Sequence, residues 1–284
     1  MAKAIATPVP TSPTPRRARA ENFPVASRLL APSMRPKVMA LYCFARAADD
    51  IADDPALAAA IKLRRLAEFR HGLAPAGGGA PPAVALRRAV REDGALLAHA
   101  ARLLDAFESD AESRPCRDWD GLMAYCASSA APVGRFLLHL HGEDPALLAL
   151  ADSLCAALQI LNHLQDCRAD FTRLGRLYLP ADWMEREGAC PADLARRRSA
   201  PALRRVFDAM LEGVDGLLRD AAPLAAALAD RRLAMETAAI AAVARRLSER
   251  LRRDDPLARP VTLSPLSYAG ALGEGLLAGW RRQA

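Results

Sequence analysis

The sequence predicts an all-α protein, on three observations. Aromatic residues are only 5% of the 284, and alanine and leucine dominate. A sheet wants β-branched and aromatic side chains, whereas Ala, Leu, Arg and Glu favour helix. Apolar residues recur at helical spacing through most of the chain. The periodic stretches are joined by short links with no break in composition, which predicts one helical domain over residues 21–262.

Residues 1–20 are rich in proline and lack a continuous apolar run, so they read as a disordered tail and not a secretory signal or membrane span. A helical stretch follows over 26–53, broken near Pro32 and Pro36. Asp54 before Pro55 has the form of an N-cap with proline at the first helical position. The next helix then runs over 55–71, with Leu57, Ile61, Leu66 and Phe69 on its apolar face. Residues 72–82 (GLAPAGGGAPP) are a flexible loop. Helices follow at 83–91, 94–110, 118–141 and 145–172, the last ended by Gly175 and Pro180. A shorter helical piece covers 182–198, and two long amphipathic helices cover 201–220 and 223–253. The tail, 263–284, carries Leu266, Leu272, Leu276, Leu277 and Trp280 before Arg281 and Arg282. It is either an amphipathic surface helix or a terminal helix packed on the core.

Composition excludes several classes. With 52% hydrophobic and 25% charged residues the chain is globular and neither disordered nor membrane-spanning. The net charge of +6 rests mostly on arginine, yet no basic patch interleaved with aromatics occurs, so nucleic acid is not an expected partner. The six cysteines form no CxxC pair and read as free thiols in a reducing cytoplasm. His139, His141 and His163 lack a metal-binding spacing, Ser128 and Ser129 lack a triad, and the glycines at 77–79 lack a nucleotide-binding pattern.

Two acidic clusters carry the chemistry. Asp49, Asp50, Asp53 and Asp54 place four carboxylates within six residues, and Asp49 and Asp53 share a helix face with Arg46 one turn earlier. Like charges at this spacing destabilise a helix by about 0.2–0.5 kcal/mol per pair. Pro55 also puts Asp53 near the helix C-terminus, the wrong end for an anion. A cationic group is therefore expected there. In the second cluster Asn162, Asp166 and Asp170 form an i, i+4, i+8 stripe, with Gln159 just off it, on a helix otherwise rich in leucine. Buried carboxylates need partners. One reading makes Asp53 and Asp54 caps and pairs Asp166 and Asp170 with Arg168 and Arg173. The other places both clusters around hard divalent cations, for which carboxylate oxygens are the natural ligands, with room for a diphosphate between them. Two such clusters on apolar helices favour the second.

These residues resemble the two aspartate-rich motifs of the squalene/phytoene synthase family. Asp49-x-x-x-Asp53 follows Tyr42, Phe44, Ala45 and Arg46. Asn162-x-x-x-Asp166-x-x-x-Asp170 precedes Gly175, Arg176, Leu177, Tyr178, Leu179 and Pro180, and between the motifs lie Tyr125 and the pair Val133-Gly134. The resemblance covers about residues 21–260. It implies an isoprenoid synthase fold around a central cavity, a prenyl diphosphate substrate and Mg²⁺ as cofactor. Asp49, Asp53, Asn162, Asp166 and Asp170 would bind the metal, while Arg46, Arg176, Gln159, Val133 and Gly134 would contact substrate. Tyr125, Tyr178, Asn162 and Gln165 would serve catalysis, with Gln165 offering an amide to a water molecule. The opening Glu21, Asn22, Phe23 and Pro24, the segment Pro132 to Arg135, and Gln165 in place of the arginine usual in relatives lean towards one branch. That branch converts presqualene diphosphate and water to hydroxysqualene and diphosphate in squalene and hopanoid biosynthesis. The alternatives are condensation of two farnesyl diphosphates, or a non-catalytic helical assembly protein. The resemblance also implies a cytoplasmic enzyme, peripheral on the inner membrane face, in contact with other hopanoid-pathway enzymes.

Overall fold

The computed structural model describes residues 29–281, and side chains as far as 277. The tail expected at 1–20 and the motif opening at Glu21 lie outside the described residues. Among the described residues there are helices and no strand. Twelve α-helices are used below: α1 (Arg35–Ala52), α2 (Ala59–Leu73), α3 (Pro81–Ala89), α4 (Gly94–Ala111), α5 (Trp119–Ser129), α6 (Ala131–His141), α7 (Leu148–Ala169), α8 (Ala181–Glu187), α9 (Pro201–Asp220), α10 (Leu224–Ala227), α11 (Arg231–Arg253) and α12 (Pro265–Arg281).

Helix α7 lies between two cores. On one side its Ala151 and Leu154 pack with Leu138 of α6, Leu224 of α10 and Leu233 of α11, while α1 to α4 and α6 bury Phe44, Phe69, Leu86, Leu104 and Phe136 in a separate core. On the other, α5, α8, α9 and α11 pack Leu122, Met184, Phe207, Met210 and Leu247 against Ile160, Leu161 and Leu164 of α7. Each such side chain contributes roughly 1.5–3 kcal/mol of transfer free energy when fully buried. The stretch Pro145–Leu174 is long and apolar enough to cross a membrane, but half of its most apolar window is buried. Its apolar character is accounted for by packing on two sides.

The structure departs from the expected boundaries where turn chemistry wins. Asp54 does not cap a helix from Pro55. Its carboxylate accepts the Ala56 N–H at 2.9 Å and closes a turn, so α2 starts only at Ala59. The segment expected as one helix over 118–141 divides at Ala130, because Pro132 has no N–H for the ladder and its ring crowds the preceding turn. In the 182–198 piece, left-handed Gly188 ends α8, and a 3₁₀ turn (Pro191–Ala195) follows. In the 223–253 piece, α10 is a single turn, and Asp230 caps α11 by accepting the Leu233 N–H at 2.8 Å.

The C-terminal helix α12 packs one face on α11 and leaves the other exposed. Its small face, Ala271 and Gly275, is buried on α11. Arg246 donates to the Ser267 carbonyl at 2.8 Å, and Arg245 meets Glu274 at 3.0 Å. The opposite face leaves Leu266, Leu272, Leu276 and Leu277 exposed. Among the described residues Cys43, Cys116, Cys126, Cys155, Cys167 and Cys190 carry no disulfide.

Candidate active site

An apolar cavity of about 280 Å³ lies between α1, α6, α7 and α11. From α1 it takes Val38, Leu41, Tyr42 and Ala45; from α7, Ala151, Leu154, Cys155 and Leu158. Val133 and Gly134 line it from α6. A Cβ on Gly134 would meet the Cys155 sulfur at 2.7 Å, so glycine lets α6 and α7 approach across the cavity wall.

The same helix faces then turn polar. On α1 the stripe continues from Tyr42 and Ala45 to Arg46, Asp49 and Asp53. On α7 it continues from Cys155 and Leu158 to Gln159, Asn162, Asp166 and Asp170. Both walls therefore run from an apolar half to an acidic half. That is the polarity of a long hydrocarbon bearing an anionic head, provided cations sit between head and aspartates.

The first acidic cluster is held as its helix position requires. Arg46 reaches Asp49 at 3.1 Å and Asp50 at 2.9 Å. The cation expected at the end of α1 arrives from far along the chain. Arg176, with 7% of its side chain exposed, pairs with the Asp53 carboxylate and donates to the Ala52 carbonyl at 2.8 Å. Lys62 donates to that same carbonyl at 2.7 Å. Arg176 gets there because the end of α7 widens into a π turn (Asp170–Leu174) closed by left-handed Gly175, which sends the chain back towards α1.

The second cluster faces the first. Burial pushes the Asp170 carboxyl up to about 7, with Asp166 and Asp53 adding to the rise and Arg176 opposing it. Asp49 is also raised, by burial first and the Asp53 carboxylate second, against Arg46. Asp166 is exposed at the rim. Arg168 does not pair with the acidic stripe; it donates to the Leu257 carbonyl at 3.1 Å on another side of α7. Among the described residues, no three acidic, histidine or cysteine side chains already converge tightly enough to hold an ion. Still, the donors fit Mg²⁺. They are hard oxygen ligands on two facing helices whose mutual repulsion a divalent cation would relieve.

Behind the acidic mouth is a group that the sequence reading missed. Asp110, on the buried face of α4, accepts the hydroxyl of Tyr125 at 2.8 Å and that of Tyr178 at 2.7 Å. Burial raises its carboxyl, while Arg176 and the two hydroxyls oppose that rise. His163 stacks on Tyr178 with ring centroids 3.9 Å apart, and Gln159 lies 3.3 Å from its Nε2. Burial and then Arg176 drive the imidazole pKa down to about 3, so it stays neutral. The signal in the sequence was slight: a carboxylate on the apolar stripe of α4, in line with Leu103 and Ala106.

Gln165 bonds to a segment from far along the chain: its amide donates to the Val261 carbonyl at 2.5 Å and, with Arg168, ties the segment leading to α12 onto α7. The reason is angular. Adjacent helical residues point about 100° apart, so the face beside Asp166 looks towards this linker.

Comparisons with known proteins agree with this architecture. The family described as squalene/phytoene synthase matches residues 16–267. A hydroxysqualene synthase of Rhodopseudomonas palustris is 43% identical over 250 residues, covering 88% of this chain and 86% of that protein. One of Zymomonas mobilis is 41% identical, covering 85% and 82%. The crystal structure of squalene synthase HpnC from Alicyclobacillus acidocaldarius superposes with a TM-score of 0.72 at 29% identity, over 84% of this chain and 91% of that one. A fold of helices around an apolar cavity, two facing acidic stripes and a match over most of the chain lead to one conclusion: the protein is an enzyme of the squalene/phytoene synthase family.

Proposed function

We propose that this enzyme converts presqualene diphosphate and water to hydroxysqualene and diphosphate, with Mg²⁺ at the facing aspartates. The observation that carries the reading is the change from apolar to acidic along both α1 and α7. Relatives named hydroxysqualene synthase, at 39–43% identity over most of the chain, support the choice of reaction. Bound Mg²⁺ neutralises charge on the leaving group. Asp49, Asp53, Asn162, Asp166 and Asp170 hold it, and Arg46 and Arg176 donate to phosphate oxygens. The bond from carbon to diphosphate breaks with its electron pair on oxygen. The apolar cavity keeps the rearranging cation from stray nucleophiles. A water oxygen then forms the new bond to carbon, and its proton goes to the departing diphosphate. The faces of Tyr125 and Tyr178 stabilise the positive charge, and Asp110 fixes both rings by holding their hydroxyls.

In H₂¹⁸O, purified protein with Mg²⁺ and presqualene diphosphate should yield a C30 alcohol carrying the label, without a nicotinamide cofactor. An unlabelled product, or conversion of farnesyl diphosphate to presqualene diphosphate instead, would overturn the assignment.

The exposed leucines of α12 support peripheral association with the inner membrane face, where lipid substrate and product reside. Replacing Leu266, Leu272, Leu276 and Leu277 together with serine should abolish flotation with anionic, protein-free liposomes. The fold should survive, because Ala271 and Gly275 make the contact with α11. Equal flotation of both proteins would reject the lipid surface and leave another pathway enzyme as the partner of these leucines.

A further inference from the structure

A second cavity, of about 250 Å³, opens beside the end of α1 and is lined by Pro55, Lys62, Asp110, Ser113, Arg173, Leu174 and Arg176. None of these residues lines the apolar cavity. Three are cations brought from three places: α2, the π turn and the irregular segment after it. Lys62 and Arg176 donate to one carbonyl oxygen, that of Ala52, so two like charges are forced side by side. The guanidinium is one cause of the lowered Lys62 pKa, after burial. Arg173 is exposed and has no ion-pair partner among the described residues. Carboxylates nearby offset only part of this. Asp53 is paired with Arg176, Asp54 accepts a backbone N–H, and both oxygens of Asp110 are occupied by tyrosine hydroxyls.

Such a pocket takes a compact polyanion. Its walls are cationic and polar, with Pro55 and Leu174 the only apolar contributions, so an isoprenoid tail finds no surface in it. Arg176 is common to this pocket and to the acidic mouth, since it also pairs with Asp53. We infer that the pocket receives inorganic diphosphate after it has separated from the hydrocarbon, and passes it from the aspartates to solvent by way of Lys62 and Arg173. This rests on the reading that a prenyl diphosphate ionises at the aspartates. It adds a site for the leaving group once that group is free.

The test uses the full chain, saturating Mg²⁺ and inorganic pyrophosphate. Arg173→Gln and Lys62→Gln should each weaken pyrophosphate, as product inhibitor and in direct calorimetric titration, by roughly tenfold, the loss expected for one charge-assisted hydrogen bond. The KM and kcat for the prenyl diphosphate should stay within about twofold. Lys62→Arg should restore pyrophosphate affinity, which separates charge from the structural contact with Ala52. Unchanged pyrophosphate affinity in Arg173→Gln would overturn the inference. A rise in KM that parallels the loss of pyrophosphate affinity would also overturn it, because the pocket would then serve the arriving substrate. If the wild-type protein turned over no prenyl diphosphate, the functional reading would fail on that result alone, whatever the titrations gave.

Discussion

Asp49→Asn and Asp166→Asn are each expected to lower turnover by roughly 10²–10³-fold, the scale of losing a group that stabilises charge on the reacting oxygens. The amide is nearly isosteric but neutral, and its oxygen is a weaker ligand for a hard cation. Stability should hardly change. Asp166 is exposed, and Asp49 keeps 30% of its side chain exposed, so neither substitution opens a cavity. Asp49→Asn weakens the contact with Arg46 but also relieves repulsion from Asp53 one turn on, and these two effects are of similar size, about 0.2–0.5 kcal/mol each. Helical circular dichroism and melting temperature should therefore stay near wild type while activity collapses. Near-normal turnover of either variant at saturating Mg²⁺ would remove that aspartate from the mechanism.

Arg176→Ala should fail differently, losing stability together with activity. The guanidinium is the buried link between the segment after α7 and the end of α1, through the Asp53 carboxylate and the Ala52 carbonyl. Removing one partner of a fully buried pair costs about 3–5 kcal/mol. Asp53 is 36% exposed and regains some water, so the expected loss is smaller, about 2 kcal/mol. Arg176→Lys keeps the charge but lacks the planar fork that reaches carboxylate and carbonyl together, so it should recover only part of the loss. Urea melts of Arg176→Ala, Asp53→Ala and the double variant would measure the coupling directly. An unchanged urea midpoint in Arg176→Ala, or a coupling energy near zero, would show that the pair does not hold α1 to the end of α7.

Local chemistry decided much of this protein, and that part is readable along the chain. Composition and apolar spacing set the all-α class. Asp49 with Asp53, and Asn162 with Asp166 and Asp170, lie within single helices, so their shared faces follow from helical periodicity alone. The need for a cation at the end of α1 follows from helix polarity. What the chain order does not contain is which distant residue answers that need. Arg176 lies 123 residues from Asp53, and only the π turn after Ala169 brings it back. Asp110 was hidden for the same reason. It is one carboxylate on a leucine-rich helix until folding sets the hydroxyls of Tyr125 and Tyr178 against it. The direction of Gln165 was settled by the 257–261 segment packing on its side of α7, and helical periodicity is silent about which neighbour occupies a given face. The tail followed the same rule. Sequence showed a helix with leucines and small residues, but packing on α11 selected the small face for burial and left the leucines outside, because small residues such as Ala271 and Gly275 let the two backbones approach closely.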